Sequence, residues 1–155
     1  MSKYKLYYFD TRGRAEIIRL ILTQAGHPFD DIRYGHDEFQ AHHKHEMPLE
    51  QMPVLEIISD QHQQKPSKLP QSLTIARYLA KEFDLAGKTN LQQAQVDSVV
   101  DTMMDLSQQF MIKVFHVQDP EKRETSKQEF LTKDLPQQFQ NLEILFKMYN
   151  DGRGP

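Results

Sequence analysis

At 155 residues, 38% hydrophobic and 26% charged, the chain has a globular composition with room for one or two small domains. A formal net charge of −3 at pH 7 gives no bulk electrostatic pull toward nucleic acid or acidic membranes. The chain has no cysteine, which excludes disulfides, a thiol nucleophile, dithiol redox chemistry and Cys-ligated zinc.

The opening MSKYKLYYFD lacks the pattern of a signal peptide, and no apolar run approaches a bilayer span, so a cytoplasmic protein is expected. Tyr4 to Phe9 is rich in aromatic and aliphatic residues and predicts a strand. Asp10 to Gly13 break the run. From Arg14 the period changes: Ala15, Ile17, Ile18, Ile21, Leu22 and Ala25 share one helical face, which Gly26 and Pro28 terminate. A tyrosine hydroxyl, from Tyr7 or Tyr8, then stands where a strand ends and a helix begins. Free N–H groups and the positive dipole end gather there, so the spot suits an anion.

Phe29 to Tyr34 predicts a second strand, and the polar, His-rich stretch from Gly35 to Glu46 a loop with one irregular helix. His42, His43 and His45 do not share one helical direction and lack a completing carboxylate, so they are read as a polar loop and no metal is expected. Pro53 to Ile58 predicts a third strand, with proline at the one position that needs no N–H. Ser59 to Lys68 is a polar turn, unusually long for a hairpin. Leu69-Pro70 is a strand stub, and Gln71 to Phe83 is helical through Leu73, Ala76, Ala80 and Phe83.

Past the link Asp84 to Thr89, everything reads as helix. Val96, Val99, Val100, Met103, Leu106, Phe110 and Val114 predict a helix from about Leu91 to Val117, roughly 40 Å long at 1.5 Å per residue. Asp119-Pro120-Glu121 is a helix start with a capping acid and Pro at the first position. Leu131, Leu135, Phe139, Leu142 and Tyr149 continue an apolar stripe that Pro136 should kink or split. Two antiparallel helices leave their stripes partly bare. The final DGRGP is turn-like and reads as an interruption.

Four segments in register, YKLYYFDTRGRAEIIRLIL, MPVLEI, LPQSLTIARYLAKEFDLAGKT and VDSVVDTMMD, resemble the cytosolic glutathione transferases, closest to the sigma class. The resemblance implies an α/β thioredoxin-like, glutathione-binding domain over residues 1–83 and an incomplete all-α, helical-bundle domain over 90–155, joined by 84–89. It also implies a homodimer with glutathione as co-substrate, and no nucleic-acid or membrane partner.

The site residues follow from the same resemblance. Tyr8 matches the catalytic tyrosine, whose O–H donates to the glutathione sulfur and stabilises the thiolate. Its alternative role is that of a strand aromatic, like Tyr4 and Tyr7. Arg14 matches an arginine beside that tyrosine. Met52-Pro53 matches a cis-proline turn whose Met52 backbone would pair with the cysteinyl part of glutathione. Gln71 and Ser72 match the pair that holds the γ-glutamyl end, where Ser72 opens a helix. Lys44 and Gln51 align with positions gripping the glycyl end, Lys44 only after one extra loop residue, and a solvated loop is equally consistent. Phe39 stands where the sigma class commonly has a tryptophan, so an indole N–H contact is lost. Asp97, Asp101 and Asp105 lie four apart on one helix face, and Asp105 matches an acid that reaches the glutathione amino group across the dimer. Met103, Met104 and Phe110 suit either an electrophile pocket or core packing.

These residues imply a transferase that attacks small electrophiles with the glutathione thiolate. The rival expectation is a catalytically weak or inactive relative, such as the lens crystallins of sigma-class descent, or a product that only binds or dimerises.

Overall fold

A computed structural model describes residues 3–59 and 65–149. The expected turn from Ser59 to Lys68 therefore lies partly outside the described residues, and DGRGP wholly so. The chain divides into two compact units between Leu85 and Ala86.

In the first unit, β1 (Lys3–Phe9), β2 (Phe29–Tyr34), β3 (Val54–Ile58) and β4 (Ser67–Pro70) form one sheet in the order β2-β1-β3-β4. β1 runs parallel to β2, with Leu6 opposite Asp31, and antiparallel to β3, with Leu6 opposite Leu55. The parallel pair needs a crossover, and α1 (Glu16–Gln24) supplies it. A Schellman turn ends α1: the Gly26 N–H bonds Thr23 and the His27 N–H bonds Leu22. Gly26 takes the left-handed conformation this requires, at φ 63°.

Alternation along β1 decides the two layers. Tyr4, Leu6 and Tyr8 point to one face, where they pack with Ala15, Ile18 and Leu22 before and on α1 and with Ile75 and Leu79 on α3 (Ser72–Glu82). Tyr7 and Phe9 point to the other face, against Phe39, Met47 and Val54. The His-rich stretch covers that second face. It is a run of short helical turns, α2 (His36–Glu38), a π-helical turn (Phe39–His43) and a 3-10 turn (Lys44–Glu46). His43 stacks on Tyr34 with ring centroids 4.1 Å apart and reaches Glu46 at 3.3 Å. No group of three or more His, Asp or Glu among the described residues is placed to hold a metal ion.

The second unit is helical: α4 (Asn90–Phe110), α5 (Pro120–Glu129) and α6 (Leu135–Met148). Thr89 opens α4 with a capping box. Its Oγ1 accepts the Gln92 N–H at 3.2 Å, and Gln92 Oε1 accepts the Thr89 N–H at 3.1 Å. The helix expected through Val117 instead leaves the α-helical ladder after Phe110. A π-helical turn follows over Met111–Phe115, closed by the His116 N–H on the Met111 carbonyl. Asp119 caps α5 as expected, accepting from the Glu121 and Lys122 N–H groups at 3.0 Å.

Pro136 stands in the first turn of α6, and the α-helical pattern is interrupted just before it. Lacking an N–H, it removes the donor for the fourth carbonyl before it, and the chain answers with a π-helical turn over Phe130–Asp134. The Leu135 N–H there bonds Phe130, five residues back. Leu106, Val114 and Phe130 form the small core of this unit, and the Ser98 and Tyr149 hydroxyls meet at 2.7 Å. Ile112, Phe115, Phe139 and Ile144 remain exposed, consistent with stripes left partly bare.

The first unit is thus the thioredoxin-like α/β layer that the resemblance implies, and a helical region follows it. No helix among the described residues is long and apolar enough to cross a membrane. Burial predicts the energetics. Leu79→Ala, at a fully buried position, should cost about 2–5 kcal/mol by cavity formation. Leu91→Ala, on the exposed start of α4, should stay within about 0.5 kcal/mol. Urea denaturation of the two variants beside the parent chain checks the contrast.

Candidate functional site

The strand-to-helix turn after β1 is built around one phenol. Tyr8 ends the inward-facing row of β1 and is 7% exposed. Its oxygen accepts the Arg14 backbone N–H at 3.0 Å, one of the free donors where the chain turns helical. That bond uses an acceptor position and leaves the phenolic hydrogen free to donate.

The close approach depends on Gly13. A Cβ built there would lie 2.6 Å from the Tyr8 oxygen, and φ is +44°, a conformation L side chains rarely adopt. Gly13–Ala15 is a 3-10 turn leading into α1.

Tyr7 has a different fate. Its hydroxyl donates to Glu56 Oε2 at 2.8 Å on the opposite face of the sheet. Burial, reinforced by that bond to a carboxylate, pushes its phenol well above the ordinary tyrosine range. Tyr7 therefore stays protonated and committed to Glu56, while Tyr8 faces the helix start. The period of a strand separates the two candidates that composition left equal.

Six of the expected residues line one small, open cleft, Arg14, Gln51, Met52, Pro53, Gln71 and Ser72, and Tyr8 is not among the residues lining it. The Met52–Pro53 peptide is cis, and the β3 ladder begins only at Val54, so Met52 stands just beyond the paired strand. Ser72 is buried at the first position of α3, which opens with no side-chain cap. The Ile75 N–H takes the Gln71 carbonyl, so the N–H groups of Ser72, Leu73 and Thr74 begin the helix without an intrahelical acceptor. With Arg14 across the cleft, the wall favours a carboxylate.

Backbone strain collects here. Leu49, Glu50 and Gln71 have φ of 59°, 50° and 75°, each disfavoured for a residue with a side chain.

The other expected residues lie elsewhere. Phe39 is 3% exposed and packs on Met47 and Val54, edge-on to Phe9 at 5.4 Å, as core rather than cleft wall. Lys44 pairs with Glu50 at 3.8 Å and does not line the cleft. Asp105 is on an exposed face of α4, in the second unit. On the same helix Met103 and Phe110 are 42% and 38% exposed, and Met104 is half-buried.

One functional neighbour was missed in the sequence. Arg19 is 7% exposed, and its guanidinium reaches Asp31, Glu16 and the carbonyls of Thr11 and Arg12. Its carbon lies 5.9 Å from the Tyr8 ring centroid. A signal existed: Ala15, Ile18, Arg19 and Leu22 follow the i, i+3, i+4, i+7 spacing of a buried face, with a charge in one slot.

The first unit matches the family model described as "Glutathione S-transferase, N-terminal domain" over residues 4–81, about half of the chain. The S-crystallin SL18 of Nototodarus sloanii is 41% identical over 118 residues, covering 76% of this chain and 36% of the relative. The hematopoietic prostaglandin D synthase of Rattus norvegicus is 38% identical over 143 residues, covering 92% and 66%. Among solved structures, the Fasciola hepatica sigma class GST superposes with a TM-score of 0.83 at 27% identity, covering 96% of this chain and 69% of that one. The chain spans from about a third to about half of the length of the S-crystallins it matches. With the family match laid over the sheet, the turn and the cleft, the chain belongs to the glutathione S-transferase family.

Proposed function

We propose that the chain conjugates glutathione to small electrophiles, with Tyr8 as the group that stabilises the thiolate. The observation that carries the reading is the Tyr8 hydroxyl, buried at a helix start and accepting from the Arg14 N–H. Its hydrogen is then available to a sulfur lying in front of it.

An unperturbed thiol ionises near pH 8.5, so a donor to the thiolate raises the fraction of nucleophile at neutral pH. Arg14, whose N–H bonds the Tyr8 oxygen, also lines the cleft and brings positive charge to it. The proton leaves the sulfur to solvent, the thiolate attacks the electrophilic carbon, and a thioether forms as the leaving group departs. Rate comes from thiolate stabilisation and from holding the two reactants together.

The remaining contacts follow the family resemblance, and the residues named for them line the cleft. Met52 would pair main chain to main chain with the cysteinyl residue, Ser72 and Gln71 would seat the γ-glutamyl carboxylate, and Gln51 the glycyl end. Asp105 enters this reading only through a homodimer, reaching the partner's site. Lys44, paired with Glu50, and Phe39, packed on Met47 and Val54, lie outside the cleft lining.

A second reading rests on the S-crystallin likeness: a chain that keeps the fold and the glutathione cleft without turnover. One experiment separates them. Thioether formation between glutathione and a chlorodinitrobenzene is measured with retention on immobilised glutathione. Turnover with retention is the expected result, and retention alone selects the second reading.

Two variants test the Tyr8 role. A hydrogen bond to a charged acceptor is worth about 1.5–3 kcal/mol, so Tyr8→Phe should lower kcat/KM about 10- to 100-fold. Equal activity in the two proteins would remove Tyr8 from the mechanism. Gly13→Ala should weaken the chain by more than about 1 kcal/mol, because its Cβ meets the Tyr8 oxygen at a positive φ. Its thermal midpoint should fall and its turnover with it, and a wild-type midpoint would show that the close approach is not needed.

A further inference from the structure

The turn that places the Arg14 N–H on Tyr8 is tied by two backbone bonds at its start, from the Asp10 N–H to the Tyr34 carbonyl at 3.2 Å and from the Thr11 N–H to the Phe9 carbonyl at 2.7 Å. Asp10, Thr11, Arg12 and Gly13 are all exposed, so no apolar burial fixes their backbone. The Arg33–Asp10 pair that reaches the turn from outside is solvent-exposed on both sides and worth little.

A buried side-chain anchor for the Thr11 and Arg12 carbonyls comes from beneath. Arg19 Nη1 donates to the Thr11 carbonyl at 3.0 Å and to the Arg12 carbonyl at 3.3 Å. The same nitrogen reaches Glu16 at 3.1 Å, and Nε engages the Asp31 carboxylate on β2 at 3.0 Å and 3.2 Å. The guanidinium therefore spans from β2 to the turn. Nη2 is buried with no acceptor among the described residues. A buried donor left open costs free energy, so packing alone does not account for an arginine here.

We propose that Arg19 is a positioning residue for the Tyr8 hydroxyl: its buried guanidinium clamps the Thr11 and Arg12 carbonyls and so holds the Arg14 N–H on the Tyr8 oxygen. Its planar fork can grip a carboxylate on one side and two carbonyls on the other. A lysine ammonium, as a point charge on a flexible stem, cannot span both. The cation also lies over the Tyr8 ring, 5.9 Å from its centroid. The catalytic consequence rests on the thiolate role of Tyr8, whereas the clamping does not.

The test compares Arg19→Lys and Tyr8→Phe with the parent full chain, by amide hydrogen exchange and by steady-state kinetics. In Arg19→Lys the Arg14 amide should exchange at least 10-fold faster, approaching its rate in Tyr8→Phe. The Leu6 and Leu55 amides of the sheet should keep their parent rates. Turnover should fall about 10-fold through kcat, with the KM for glutathione within twofold. An unchanged Arg14 rate overturns the proposal. So does a uniform rise at Arg14, Leu6 and Leu55, which would make Arg19 a residue of general stability. Should Arg19→Lys fail to fold, Asp31→Asn carries the test, because it releases the guanidinium from β2 while keeping the cation. It is expected to move the Arg14 amide in the same direction by a smaller factor, and an unmoved amide there overturns the clamp. Parent-level turnover in Tyr8→Phe would refute the thiolate reading on its own, leaving the exchange result to decide the clamp.

Discussion

One hydrogen bond, from the Arg14 N–H to the Tyr8 oxygen, governs how the first unit is put together at its functional end. It joins the last inward-facing residue of β1 to the start of the first helix. It forms only because Gly13 lets the backbone pass within contact distance of a phenol. A buried phenol without a partner would be costly. Accepting from the backbone satisfies the oxygen and leaves its hydrogen for something else, and that combination makes Tyr8 a chemical group as well as a core residue.

The surroundings divide by charge in a way that suits an anion. The free N–H groups of α3, the Arg14 side chain and the first helical turn all present positive potential to the cleft region. Of the acids in the region, Glu50 pairs with Lys44, and Glu56 with Tyr7 on the opposite face of the sheet. The positive φ values at Leu49, Glu50 and Gln71 fall on the same rim. Strain of this sort persists where surrounding structure over-determines it, and its concentration around one cleft marks the region as more than a loop.

Much of this was legible in the residues. The aromatic and aliphatic composition of YKLYYF, the period change after Gly13, and the Asp119-Pro120-Glu121 start each carry their own local physics, so strand, helix and cap were recoverable. Other features were not, for identifiable reasons. The His-rich stretch packs through Phe39 and Met47, a long-range partnership that its polar composition hides. Arg19 occupies a slot of the buried face of α1, but its role depends on partners that arrive from β2 and the turn. Pro136 announces a disruption, but its form, a π-helical turn one step earlier, depends on which carbonyls can find new donors. Thr89 and Gln92 had the spacing of a capping box, a signal that was available and passed over.

By itself the sequence determined the element order, the absence of any thiol of the chain's own, and the restriction by composition of the candidate phenol to Tyr7 or Tyr8. It did so because period, breakers and composition are local properties. Only the tertiary structure decided that Tyr7 is spent on Glu56 while Tyr8 keeps a free hydrogen, that Phe39 belongs to the core, and that a buried Arg19 underlies the turn. Each of those outcomes depends on residues far apart in the chain arriving at the same few ångströms, where burial sets the cost of every unpaired polar group.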